Sequence, residues 1–410
     1  MIRHLKIDNF KSLANFSLPL AKFTCLVGLN GAGKTTLLQA IDFLAQVMGG
    51  NVWEWLRQRE WRADDISSDV FFLYGVGKRK RSGVGRRKKL VTFLVELELD
   101  GVVVTWEGKF NVSQLRCTSE SVKYGQAIRV FEVAGGNYQV GLEPKQPISF
   151  EYQGSILSQL KEASLGEHQP VLIALKRFFQ HVRSLELLAP HLMRQRARVA
   201  KDIGVGGEKL SAFLSGFSDN ERVYLSEKLA SLSSQRVDWF EVRRLRGGWK
   251  ELSFFELFKS EDEVERLLIT EAHHVNDGLL RQTAILAQTM TDHRLLLFDE
   301  IENGMNQEMV EKLVDHLVAA RQQIIVTTHS ARILNFIPEE KAQEGVILLY
   351  RTPRGITRAR RYFELPEPAE EIQFLAPGAV YADIPLDDVV QSALDRDREE
   401  AAAAQNQGQR

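Results

Sequence analysis

Residues Gly28–Thr35 read GLNGAGKT, a full match to the pattern glycine, any four residues, glycine, lysine, then serine or threonine. The stretch before it, FTCLVG, suits a buried strand. The stretch after it, TTLLQAIDFLAQVM, sets Leu37, Leu38, Ile41, Leu44 and Ala45 on one helical face until Gly49-Gly50 stops it. A strand, a glycine-rich loop and a helix in that order make a phosphate cradle, because backbone N–H groups and the helix dipole converge on one point. Gly28, Asn30, Gly31, Ala32, Gly33, Lys34, Thr35 and Thr36 are therefore expected to hold ATP. Lys34 would reach the β and γ phosphates, and the Thr35 hydroxyl would ligate Mg²⁺.

A second motif completes such a site. LLLFDE, Leu295–Glu300, delivers two acids at the end of an apolar strand. Asp299 is expected at the magnesium shell, and Glu300 is expected to polarise the attacking water. An acid pair after an apolar strand is common on its own and gains meaning from the phosphate loop. About 264 residues separate Lys34 from Asp299, and His329 closes the next apolar run, IIVTTHS, 29 residues after Glu300. That position fits a histidine sensing the γ phosphate, giving Glu300, His329 and Lys34 as the expected catalytic set.

The bulk numbers exclude other classes. The 410 residues have a net charge of -1, so the whole molecule is no electrostatic nucleic-acid binder. Two distant cysteines, Cys25 and Cys117, fit a reducing, cytoplasmic setting. No apolar run is long enough to span a membrane. Buried apolar strands alternating with amphipathic helices predict an α/β fold with a parallel core sheet, a mixed or antiparallel β lobe and a compact helical insertion. The expected boundaries are an N-terminal lobe over 1–154, the insertion over 155–235, a C-terminal lobe over 236–365, and a segment over 366–410 ending in a disordered tail. ISFEYQG is read as a strand, VDWFEVRRLRGGWKELSFFEL as a hairpin, and the Trp53–Arg62 region as packing.

LKIDNFKSL, GLNGAGKTT, VNDGLLRQTAILA, LLLFDEIENGMN and VTTHSARIL together resemble the ABC-type P-loop ATPases, in the RecF/SMC/OLD-like branch rather than the transporters. The resemblance covers the first fifty residues and about 270–336. It implies a head-to-tail homodimer, or a higher even-numbered oligomer, with two ATP molecules sandwiched between protomers. Asn276, Asp277 and Gly278 stand at the family's signature turn, which caps the γ phosphate held by the opposite protomer. Asn276 departs from the family's usual serine, although its amide still offers a donor. The plain alternative for Asn276 and Asp277 is a helix cap. Glu302 and Asn303, in the turn after the catalytic acid, would face the dimer interface. Gln153 would link the nucleotide and its metal to the insertion, and Lys11 and Ser12 would approach the phosphate or the base.

The resemblance also implies a role for the whole chain: a slow ATPase regulating a separately encoded effector, a nuclease or toxin, in bacterial antiviral defence. Two alternatives stay open, a DNA-binding repair ATPase of the RecF kind and a near-inactive ATP-bound scaffold. KRKRSGVGRRKK, residues 78–89, has eight cations in twelve residues and is the candidate nucleic-acid contact, with RTPRGITRARR at 351–361 a second basic hairpin.

Overall fold

The computed structural model describes residues 1–68, 90–125, 128–161, 163, 165, 169–232, 237–259 and 265–407. The basic run 78–89 lies outside them. The chain forms two compact units, residues 1–182 with 338–410, and residues 183–337.

The first unit is built on an antiparallel ladder. Strand Ile2–Asp8 pairs with Phe16–Pro19 on one side and Leu90–Leu99 on the other, and the ladder continues through Val102–Asn111, Arg116–Tyr124, Ile128–Ala134 and Asn137–Val140. Its register follows from its turns. Leu99 pairs with Val102 across Asp100-Gly101, both at positive φ, and Ala134 pairs with Asn137 across Gly135-Gly136, again both at positive φ. Two-residue turns of that hand match the strand twist. One face carries Phe93 and Phe110, which meet Phe43 of the helix Lys34–Gly49 at ring-centroid distances of 6.0 and 5.1 Å. The helix after the phosphate loop is thereby anchored to the ladder by aromatic packing, each such pair adding about 1 kcal/mol to simple burial.

The same unit holds the phosphate-loop strand, Phe23–Val27, parallel to Val346–Arg351, which pairs antiparallel with Thr357–Arg361. The Trp-Arg region packs as expected. Trp55 Nε1 and Arg59 Nη2 both donate to Oδ2 of the buried Asp42, at 2.6 and 2.8 Å, while Trp53 stays exposed.

The second unit pairs Leu295–Phe298 parallel to Gln323–Thr327 and carries a separate antiparallel sheet, Trp239–Arg244, Lys250–Lys259 and Glu265–Glu271. The first two strands are the expected hairpin. Helices Asp219–Leu232, Asp277–Thr289 and Gln307–Val318 belong to this unit.

Three expectations need correction. The region 155–235 is not one helical body: its helix Gln169–Gln180 belongs to the first unit, and the rest, from Arg183, to the second. ISFEYQG is not a strand. Regular pairing ends at Gln146–Pro147, since proline brings no N–H to a ladder, and Gly154 turns the chain at φ 69° with its carbonyl accepting from Cys117 N–H. The tail is helical over Leu386–Gln407, and residues 408–410 lie outside the described residues. Its composition reads as solvated, yet Val389 and Ala393 are buried, and Arg360 donates to Asp397 and Glu400 at 2.6 and 2.8 Å. Tyr350 donates to Asp397 at 2.9 Å. Those partners, distant in sequence, order the tail. They also neutralise Arg360 of the second basic hairpin, while Arg361 pairs with Glu364 and Arg358 donates to the Ala14 carbonyl.

One buried acid makes stability depend on pH. Glu120 accepts from Trp106 Nε1, Ile156 N–H and the Ser155 hydroxyl, yet burial pushes its carboxyl up to about 7 from 4.5. The folded chain therefore keeps a proton that the unfolded chain releases. This contribution is complete below about pH 4.5 and is lost as pH rises through about 7, a change on the order of 3 kcal/mol. Melting midpoints should fall between pH 5 and 7 in the native chain, and Glu120→Gln should flatten that slope; equal slopes would rule Glu120 out as its origin.

Candidate functional site

The phosphate loop is made by backbone geometry. Gly28, Gly31 and Gly33 take φ of 140°, 76° and 108°, values that side chains resist. Space decides two of them as well: a Cβ on Gly28 would stand 2.1 Å from the Leu349 carbonyl oxygen, and one on Gly33 would stand 2.5 Å from Thr357 Oγ1, whereas Gly31 faces open space. The helix that follows begins without a side-chain cap at Gly33, so its first N–H groups suit a phosphate. Lys34 is buried, and its ammonium donates to the Gly28 and Leu29 carbonyls at 2.8 and 3.3 Å. Thr35 is exposed.

Sequence reasoning missed Thr357. Its hydroxyl lies 3.0 Å from the Ala32 carbonyl and 2.8 Å from Ser12 Oγ. The carbonyl can only accept, so Thr357 donates to it and Ser12 donates to Thr357. Ser12 thus braces the loop from behind. Lys11, at φ 46°, sends its ammonium 3.3 Å from the centre of the Trp61 ring and 2.8 Å from Gln39 Oε1. Gln153 does not end a strand; its Oε1 accepts from Trp53 N–H at 2.9 Å, satisfying the start of the helix Val52–Gln58, whose own cap Asn51 provides no side-chain bond.

The second unit gathers the acids. Phe298 ends its strand, Glu300 turns at φ 47°, and Thr327 of the neighbouring strand fixes both acids. The Thr327 hydroxyl donates to Asp299 Oδ1 at 2.5 Å and accepts from Glu300 N–H at 2.8 Å. His329 Nε2 lies 3.5 Å from Glu300 Oε1, and Asn303 Nδ2 donates to Glu300 Oε2. Asp299, Glu300 and His329 are therefore brought together, and Asn303, expected with Glu302 at a dimer interface, contacts Glu300 within the protomer. Glu302, expected at an interface, is instead engaged within the protomer: its Oε1 accepts from the Thr328 hydroxyl at 2.9 Å and from His329 N–H at 2.8 Å. VTTHS gave the histidine but no sign that its two threonines position the acids.

Asn276 is the cap of the helix Asp277–Thr289, its Oδ1 accepting from Leu279 N–H at 2.8 Å. Asn276 and Asp277 are exposed, and Gly278 is buried. A Cβ on Gly278 would meet the Gly304 carbonyl oxygen at 2.3 Å, so the turn Asn276–Gly278 packs directly on the turn that follows Glu300. The charge of Asp277 has a partner the motif did not announce. Arg194 Nη2 donates to Asp277 Oδ1 and to the Val275 carbonyl, both at 2.7 Å. Burial pushes the Arg281 guanidinium down from its ordinary value, against the raising influence of Asp277 and Glu300.

Parts of the chain match known proteins. Residues 1–71 match the family described as "AAA ATPase domain", and residues 160–335 match "AAA domain, putative AbiEii toxin, Type IV TA system". The OLD nuclease of Thermus scotoductus is 44% identical over 70 residues, 17% of this chain and 12% of that protein. The DNA replication and repair protein RecF of Brucella abortus is 49% identical over 49 residues, 12% of this chain and 13% of its own length. The likeness to these curated relatives thus spans about an eighth of each. The Smc head domain with an extended coiled coil, bound to the C-terminal domain of ScpA, from Pyrococcus furiosus matches 91% of this chain and 99% of its own, with TM-score 0.50 and 13% identity, a likeness of fold. Loop, acid pair and family matches make the chain similar to the ABC-type P-loop ATPases of the RecF/SMC/OLD-like branch, and its fold is that of an SMC head.

Proposed function

We propose that the protein binds ATP–Mg²⁺, hydrolyses it slowly, and dimerises head to tail around two ATP molecules to govern a separately encoded effector, a nuclease or toxin, in bacterial antiviral defence. The observation that carries the enzymatic part is the acid cluster: an exposed Glu300 beside His329, with its backbone and Asp299 held by one hydroxyl. In this reading Lys34 and the loop N–H groups bind the phosphates, while Thr35 and Asp299 hold the magnesium ion. The ion supplies neutralisation of phosphate charge. Glu300 accepts the proton of the attacking water, and His329 and Asn303 orient the carboxylate. The exposed Asn276 and Asp277 turn, with Arg194 offsetting the acid, supports a role as the cap over a partner's nucleotide. The effector reading is supported by the toxin–antitoxin family description matched over residues 160–335.

The test is sedimentation velocity with and without ATP–Mg²⁺, alongside nucleotide-binding titrations. The native chain should shift to a dimer with ATP, and Lys34→Ala should lose roughly 100-fold in ATP affinity and fail to shift. Unchanged ATP binding by Lys34→Ala would remove the phosphate-loop assignment; a monomer indifferent to ATP would remove the sandwich.

A further inference from the structure

Two basic stretches distant in sequence meet in the second unit. RQRARVAK, residues 194–201, and RRLRGGWK, residues 243–250, carry four cations each. Lys250 N–H donates to the Ala197 carbonyl at 2.8 Å and joins them. Beside the junction lies a cavity of about 680 Å³ lined by Gln195, Arg196, Leu245, Arg246, Trp249 and His273. Trp249 is 39% exposed, and the Arg198 guanidinium stands 4.6 Å from its ring centre. Arg196 and Arg243 share the buried Glu251 carboxylate, with Glu271 4.0 Å from Arg243. Arg198, Lys201, Arg244, Arg246 and Lys250 form no ion pair with any described carboxylate.

An accessible indole among unpaired guanidinium groups offers a stacking surface and anion donors within one small-molecule-sized volume. Cations alone would suit any anion, but the indole adds a demand for a flat ring. We infer that this cavity binds an unstacked nucleotide, its base against Trp249 and its phosphate against Arg246, presented free or within a single nucleic-acid strand. The cavity also touches the signature turn through its own chain. Arg194, next to Gln195, holds the Val275 carbonyl and Asp277, and His273 lies two residues before Val275. A ligand seated there pulls on the segments that position Asn276 and Gly278.

The experiment measures anisotropy of a labelled single-stranded oligonucleotide, with unlabelled mononucleotide as competitor, in Lys34→Ala protein so that the phosphate loop does not contribute. Arg246→Glu, an exposed change, and Trp249→Ala should each weaken binding by about 10-fold or more. Displacement by mononucleotide identifies a free nucleotide as the ligand, and displacement by unlabelled strand alone identifies nucleic acid. No binding, or binding indifferent to both changes, overturns the site. The binding measurement stands apart from the ATPase reading. With Lys34 intact, the ligand should alter ATP turnover in the native chain and not in Arg246→Glu; an active enzyme whose turnover ignores the ligand overturns the coupling.

Discussion

Glu300→Gln is expected to cut steady-state ATP turnover by about 100-fold or more while ATP-bound dimer accumulates. Glutamine keeps the length of the side chain and can still meet the Asn303 amide, but it has no basic oxygen with which to take a proton from water. Asp299 and the Glu300 N–H stay fixed by Thr327, because those bonds use Oδ1 of the aspartate and the backbone of residue 300. Binding and chemistry should therefore separate: ATP affinity within a few-fold of native, turnover lost, and a dimer stable enough to isolate by size-exclusion chromatography. Turnover at the native rate would exclude Glu300 as the base. Loss of ATP binding along with turnover would show that the change disturbs the strand end rather than the proton transfer.

The other large effect is expected at Gly278. Valine there would bring Cβ to within 2.3 Å of the Gly304 carbonyl oxygen, a backbone atom that has no rotamer through which to move away. The helix start or the Glu302–Gly304 turn must shift by roughly 1 Å, and displacement of that size at a catalytic group costs about 100-fold in rate. ATP binding by the phosphate loop in the first unit should persist in titrations, while turnover falls. A melting midpoint near the native value distinguishes this loss from unfolding. Native turnover in Gly278→Val would show that contact between the two turns is irrelevant to the chemistry.

The parts of the fold that could be read from sequence were those whose cause is local. A glycine loop between a strand and a helix, two-residue turns with positive φ, and strands with apolar runs all carry their geometry in adjacent residues. The misreadings came where distant partners decide the outcome. Residues 386–407 look solvated until Arg360 and Tyr350, on adjoining strands, are placed beside Asp397. ISFEYQG has the composition of a strand, but Pro147 ends pairing and Gln153 is drawn to Trp53 N–H. At the candidate site the motif residues were legible, because chemistry demands them at set spacing. Their supports were not. Thr357 behind the phosphate loop, Thr327 under the acids and Arg194 beside Asp277 each come from another part of the chain, and no spacing rule links them to the groups they hold.

The ordered helix Leu386–Gln407 bears on how the protein is handled at the bench. Trimming residues after 385 as dispensable would remove the carboxylates that satisfy Arg360 and Tyr350, and would bare the seat of Val389 and Ala393. The strand Val346–Arg351, which runs beside the phosphate-loop strand, would then lose the acceptor of its Tyr350 hydroxyl. A shortened version that expresses poorly would be reporting the loss of that clasp.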